Sequence, residues 1–300
     1  MRLAALLLLS VLGPLQEKVP QERTAFSSRT ELAVLHVSVL DRQAGFVPGL
    51  PREAFTIEEN GRPQPIAFFE NDDSPVTVGL VIDNSGSMQP RRDEVIAASM
   101  AFASSSHPAD EMFTINFNER VWPGLPPGRA FTSDLSELRA ALGRSTARGQ
   151  TALFDGLDAA LRQLAHASKP RKVLVVISDG GDNASRAKFS DILETALRTD
   201  VVIYTIGLHD PNDGEAKPGL LRELAAVTGG EAFFPRSDES VTPVLERIAR
   251  DIRASYTIGY APPAAAPDAR RKVKVDVKAP DRRKLKVRVR TTYVGAGAVQ

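Results

Sequence analysis

The string VTVGLVIDNSGS, residues 76–87, decides the fold. Residues 76–82 form a nearly continuous apolar run, the pattern of a strand buried on both faces. Asp83 stands where that strand ends, and Asn84, Ser85, Gly86 and Ser87 follow as a polar turn. In an open parallel sheet, ligands bind beyond the carboxyl ends of the strands, so Asp83 is placed where such a sheet does its chemistry.

Outward from this strand the pattern alternates. Helical segments are expected at 92–105, 135–142, 152–167, 192–197, 220–227 and 241–254. The clearest is 152–167, with Leu153, Leu157, Leu161 and Leu164 on one face. Strands are expected at 112–117, 173–177, 201–206 and 232–234. Apolar strands separated by amphipathic helices predict an α/β fold, a doubly wound, mostly parallel sheet covered on both faces. The flanks read as β structure. On the N-terminal side, strands are expected at 32–40, 55–59 and 64–70, with Asn60 and Gly61 as a hairpin turn. On the C-terminal side they are expected at 256–260, 273–277 and 285–290, with Val273, Val275 and Val277 facing one way and Lys272, Lys274 and Asp276 the other. Each flank is too small to bury a core alone. The expected domains are therefore 74–254 for the α/β unit, inserted between β segments 30–73 and 255–293 that pack together as a small β-sandwich-like domain.

Composition narrows the chemistry. The 300 residues carry a formal net charge of +1, with 42% hydrophobic and 25% charged residues, so nothing global points to nucleic acid. The absence of cysteine removes disulfides, thiolate nucleophiles and cysteine metal sites, and four histidines at no ligand spacing leave oxygen as the donor for any metal. Arg2 followed by an apolar run at 3–12 predicts a signal peptide over 1–16, without a small-x-small cleavage pattern. The mature chain is then exported, to the periplasm, the medium or the cell surface, with no integral membrane span. The basic stretch 270–290 alternates with valines and reads as the wet face of a strand pair rather than a surface for anionic polymers. Trp122 and Phe131 belong either to an interface or to a hairpin core.

The Asp-x-Ser-x-Ser turn supplies one carboxylate and two hydroxyls, with Gly86 expected to let the backbone turn sharply. The strand at 173–177 runs into Ser178, Asp179, Gly180 and Gly181, a second carboxylate at the same edge. Thr151, just before the amphipathic helix, either caps that helix or aims its hydroxyl at the same centre. Two carboxylates brought together repel, so one takes up a proton or a divalent ion joins them. Asp83, Ser85, Ser87, Thr151 and Asp179 offer only oxygen, which suits Mg²⁺, or Mn²⁺ or Ca²⁺, at one ion per chain. With two carboxylates the ion stays partly uncompensated and attracts an outside carboxylate.

These five residues, in this order, resemble the metal-ion-dependent adhesion site of von Willebrand factor A domains and integrin inserted domains, a resemblance that covers about 76–253. The flanks, with Val39, Leu40, Asp41, Arg42 and Gly45 before it and Tyr256, Gly259, Tyr260 and Pro262 after it, look like the bacterial, acidobacterial-type von Willebrand factor A-related proteins, which are mostly exported. The resemblance implies that Asp83, Ser85, Ser87 and Asp179 are metal ligands, some through water. It implies that Thr151 engages or withdraws as the site changes state, and that the protein is an adhesion module whose protein partner supplies an acidic side chain. No position of the five departs from the pattern. Two other classes remain. A metal-assisted hydrolase needs a base or nucleophile near the metal, and the motif loops contain no histidine, no Gly-x-Ser-x-Gly elbow and no phosphate loop. A scaffold subunit of an ATPase-type complex fits poorly with the leader and the β flanks. Oligomeric state is not written in the sequence.

Overall fold

The computed structural model describes residues 32–71, 73–144, 147–208, 217–264, 268–279 and 284–295. The expected leader, 1–16, lies outside the described residues. The chain enters through β1 (Ala33–Leu40), β2 (Phe55–Glu59), β3 (Arg62–Gln64) and β4 (Phe68–Glu70). The single strand expected at 64–70 is in fact the end of β3 and all of β4, which belong to different sheets. Pro65 lies between them; it has no N–H to give a ladder, and the chain changes sheets there.

The α/β unit follows as β5 (Val76–Asp83), α1 (Arg92–Ser104), β6 (Glu111–Phe117), β7 (Val121–Pro123), α2 (Leu135–Gly143), α3 (Leu153–Leu164), β8 (Arg171–Ser178), α4 (Phe189–Arg198), β9 (Val202–Gly207), α5 (Pro218–Thr228), β10 (Ala232–Phe233) and α6 (Thr242–Ala254). Its sheet has the order β10-β9-β8-β5-β6-β7. All neighbours are parallel except the edge strand β7, which returns antiparallel along β6. β5 and β8 are buried along nearly their whole length, as their apolar runs require. Helices α1 and α6 cover one face through Val95, Phe102, Leu245 and Ile248. Helices α3, α4 and α5 cover the other through Leu157, Leu161, Ile192 and Leu224. Trp122 pairs in register with Asn116 in the β6–β7 hairpin, and Phe131 sits edge-on to Phe113 with ring centroids 5.7 Å apart, so both belong to this hairpin region.

The chain closes with β11 (Tyr256–Tyr260), β12 (Arg270–Val277), β13 (Lys286–Arg288) and β14 (Thr292–Val294). Together with β1–β4 they make two antiparallel sheets, ordered β13-β1-β11-β4 and β14-β12-β2-β3. Every central pairing joins one end of the chain to the other: β1 with β11, β2 with β12. Between the sheets lie Leu35, Val37, Ile57, Tyr256, Ile258 and Val275. One charged group is buried with them. Glu59 accepts from Tyr260 Oη at 2.7 Å, Tyr293 Oη at 2.8 Å and Arg271 at 2.6 Å. The basic stretch is therefore not all wet. Arg270, Lys272 and Lys274 face solvent, but Arg271 is in phase with Val273 and Val275, turns inward and is neutralised by Glu59. Arg290 is buried as well, donating to the carbonyls of Ala196 and Thr199 at the end of α4.

Candidate metal centre

β5 and β8 are neighbours in parallel register, Ile82 against Ile177, so the residues that follow them emerge side by side at the carboxyl edge. Asp83 ends β5 with its carboxylate buried. One oxygen accepts from Ser85 N at 2.8 Å and the other from Ser178 Oγ at 2.6 Å. Asp179 accepts from Gly181 N at 2.9 Å and takes a short hydrogen bond from the Ser87 hydroxyl. Ser85 and Ser87 hydroxyls lie 3.1 Å apart. Asp83, Ser85, Ser87 and Asp179 thus form one connected polar pit. Ser87 is exposed and the others are buried, so the pit opens past Ser87.

Thr151 reaches this place by backbone. Gly149 O accepts from Gly86 N at 3.1 Å, and Asn84 O accepts from Arg148 N at 2.9 Å, which zips the 148–152 loop to the 84–87 turn. From the third loop, Asn183 Oδ1 accepts from Thr151 N at 2.9 Å, while Asn183 N and Ala184 N donate back to Thr151 O. Thr151 is not the cap of α3. The residue in that place is Ala152, with no side-chain cap. The free N–H groups of the helix go instead to the 182–187 loop: Phe154 N and Asp155 N donate to Ser185 Oγ at 3.0 and 3.1 Å, and Phe154 N also to Asp182 at 3.3 Å. Asp155 returns the clamp, accepting from Ala187 N at 2.8 Å.

The sharp backbone does not come from Gly86, which lies outside the positive-φ set. It comes from Gly149, at φ +83°, where a Cβ would fall 1.8 Å from the Glu119 carboxylate. Sequence reasoning missed Ser178 and Ser185, and it read Asn183, with Asp182, as a solvated turn beside the site rather than as the clamp on the Thr151 backbone. Ser178 had a signal, a hydroxyl flush with the strand end beside Asp179. Asn183 had its place after Asp179, but its role, like that of Ser185, was hidden because the partners lie thirty or more residues away in a loop whose approach depends on the fold.

Burial, and then the charge of Asp179, pushes the Asp83 carboxyl up to about 7. The hydrogen bonds from Ser178 and Ser85 pull the other way and lose. A pit that penalises the charge of Asp83 in this way, and offers a second carboxylate and hydroxyl oxygens beside it, fits a hard divalent cation. Among the described residues no group of three or more His, Cys, Asp or Glu is gathered for a metal, so the hydroxyls are needed to complete any coordination here.

No helix among the described residues is long and apolar enough to cross a membrane. The fold is shared with solved structures at low identity. A von Willebrand factor type A protein from Catenulispora acidiphila aligns at 15% identity and a TM-score of 0.54, covering 91% of this chain and 76% of that one. Proximal thread matrix protein 1 from the mussel byssus, with a zinc-occupied MIDAS motif, aligns at 16% identity and 0.53, covering 65% of this chain and 49% of that one. The von Willebrand factor domain of the type V pili tip protein Mfa5 from Porphyromonas gingivalis aligns at 14% and 0.50, covering 60% and 95%. Comparison with curated proteins finds no match. The von Willebrand factor type A domain family matches residues 77–248, more than half of the chain, and the chain belongs to that family.

Proposed function

We propose that the protein is a metal-dependent protein-binding module, in which Asp83, Ser85, Ser87, Asp179 and Thr151 hold one divalent cation, Mg²⁺ or else Mn²⁺ or Ca²⁺. A bound cation supplies Lewis acidity toward an oxygen ligand from outside. The chain's own groups orient it: Asp83 and Asp179 carry the negative charge, Ser85 lines the floor and Ser87 the mouth, and the Asn183 clamp sets the height of Thr151. Two carboxylates leave such an ion short of neutral, so an acidic side chain of a partner completes it. Domains of this family mediate protein–protein interaction, in keeping with a binding role rather than an enzymatic one. The observation that carries the reading is the convergence of three loops on Asp83 and Asp179, two buried carboxylates, the first of which is pushed up by its burial and by the charge of the second. The same reading takes 1–16 as a cleaved export leader and sets the domain boundaries at 30–73, 74–254 and 255–293.

The test is a thermal-melt titration. At one hundred times its dissociation constant, Mg²⁺ stabilises the native chain by about 2.7 kcal/mol. Asp179→Ala removes that shift while the metal-free melt stays cooperative. A full shift in the variant excludes Asp179 as a ligand. Partner capture from native extract, lost in EDTA and restored by Mg²⁺, tests the binding role; steady turnover of a phosphoester or ester panel would move the protein to the hydrolase class.

A further inference from the structure

A second cavity lies at the other edge of the sheet. It offers about 430 Å³, half open to solvent, where α3 and α4 end and the sandwich begins. That volume is in the range of small-molecule pockets, at the small end, and domain junctions are where such pockets form. Lys172 lines it near the start of β8, and Ser178 closes the same strand, so about 20 Å of strand separates it from the candidate metal centre.

Its walls are apolar. Leu161 and Leu164 of α3, Leu197 of α4, Val201 and, from the sandwich side, Val34 face it. Its charge is one-sided. Lys172, Arg198, Arg271 and Arg290 line it against a single carboxylate, Asp200. Lys172 lies 3.4 Å from Asp200, and Arg198 is taken by Glu194 and Asp268. Of the other two, Arg271 has its charge met by Glu59 but keeps one donor unsatisfied, and Arg290 is held only by carbonyls among the described residues. Arg290 is buried and, among the described residues, pairs with no carboxylate; its guanidinium meets only the carbonyls at the end of α4. Arg271 gives Nη1 to Glu59, but its Nε is buried without a hydrogen-bond partner. A Cβ on Gly295, which also lines the cavity, would fall 2.9 Å from that nitrogen, so the backbone packs against it and a side chain there would clash. Desolvated cations with spare donors at the side of an apolar chamber call for an anion carrying an apolar body.

We propose that this cavity binds an acyl-chain carboxylate, with the carboxylate held toward Arg290 and Arg271 and the chain between α3 and β1. The volume admits one such small molecule and is too small for a folded partner element. The inference is independent of the metal centre.

The test is calorimetric titration of the full chain with decanoate below its micelle concentration, in EDTA and in Mg²⁺. One saturable site is expected, equal in both buffers, and at least tenfold weaker for 1-decanol, which has the chain without the charge. Val34→Trp fills the chamber from a half-buried position and is expected to weaken decanoate at least tenfold with its melt retained. Lys172→Gln, which opens no core position, is expected to weaken it severalfold and serves if Val34→Trp does not fold. Absence of saturable binding, equal affinity for decanol, or unchanged affinity in a folded variant overturns the proposal.

Discussion

At the scale of single residues the candidate centre is a balance between hydrogen bonds and repulsion. Asp83 accepts from Ser85 N and Ser178 Oγ, yet burial and Asp179 still hold its carboxyl up at about 7. Removing that charge is expected to stabilise the metal-free protein. At pH 8 in EDTA, Asp83→Asn raises the melting temperature, by a gain on the order of 1 kcal/mol, and abolishes the Mg²⁺ shift. A lower melting temperature in EDTA would mean that the two accepted hydrogen bonds outweigh the repulsion. His36 gives the reverse case. Burial first, then Arg171 and the other nearby cations, hold its imidazole down at about 3, so the folded protein keeps it neutral. The unfolded chain takes up that proton below about 6.5. The contribution is therefore complete above pH 6.5 and is lost as pH falls toward 3, with a slope of up to about 1.4 kcal/mol per pH unit. His36→Phe is expected to flatten the stability profile between pH 6 and 4 (roughly the window set by those two values). Parallel urea-melt profiles for the two proteins over that window would remove His36 from the account.

At the scale of elements, helix ends connect what the strands only align. α5 ends at Gly229 with φ +82° and the hydrogen bond Gly230 N to Ala225 O at 2.9 Å. A Cβ there would fall 2.6 Å from Arg290 N and 2.9 Å from Val289 C, so the cap is also the seat of the chain leaving β13. Gly229→Ala should cost at least about 2 kcal/mol, the left-handed penalty plus a clash with backbone that has no rotamer to yield. A denaturant melt showing less than half of that would place the strain elsewhere. α3 shows why a cap is hard to read from local sequence. Thr151 sits one residue before the capping position, but the N–H groups of Phe154 and Asp155 find Ser185 in a loop thirty residues on. The helix was legible from its leucines; its cap was not, because the acceptor comes from across space.

At the scale of the molecule the two chain ends depend on each other. β11 lies between β1 and β4, and β12 between β2 and β14, so the C-terminal strands have few ladder partners of their own. Deleting residues 1–73 is expected to expose the amides of β11 and to free those of β12 that face β2, with β5 and β8 still protected. Hydrogen exchange read by mass spectrometry decides it, and unchanged protection in β11 would refute the dependence. The α/β sheet has no such debt, since its six strands come from one continuous stretch.

The sequence alone determined the architecture of the sheet and which carboxylates end its central strands. Those depend on period and run length, and apolar runs such as 76–82 have only one environment that suits them. It also placed β2, β11 and the outward lysines of β12, where alternation is clean. Only the tertiary structure decided that Arg271 turns inward to Glu59, that Pro65 divides two sheets, that Gly149 rather than Gly86 carries the strained turn, and that Asn183 holds Thr151. Each of these is settled by which polar group meets which once water is excluded. That pairing is made between segments far apart in the chain, so no local pattern records it.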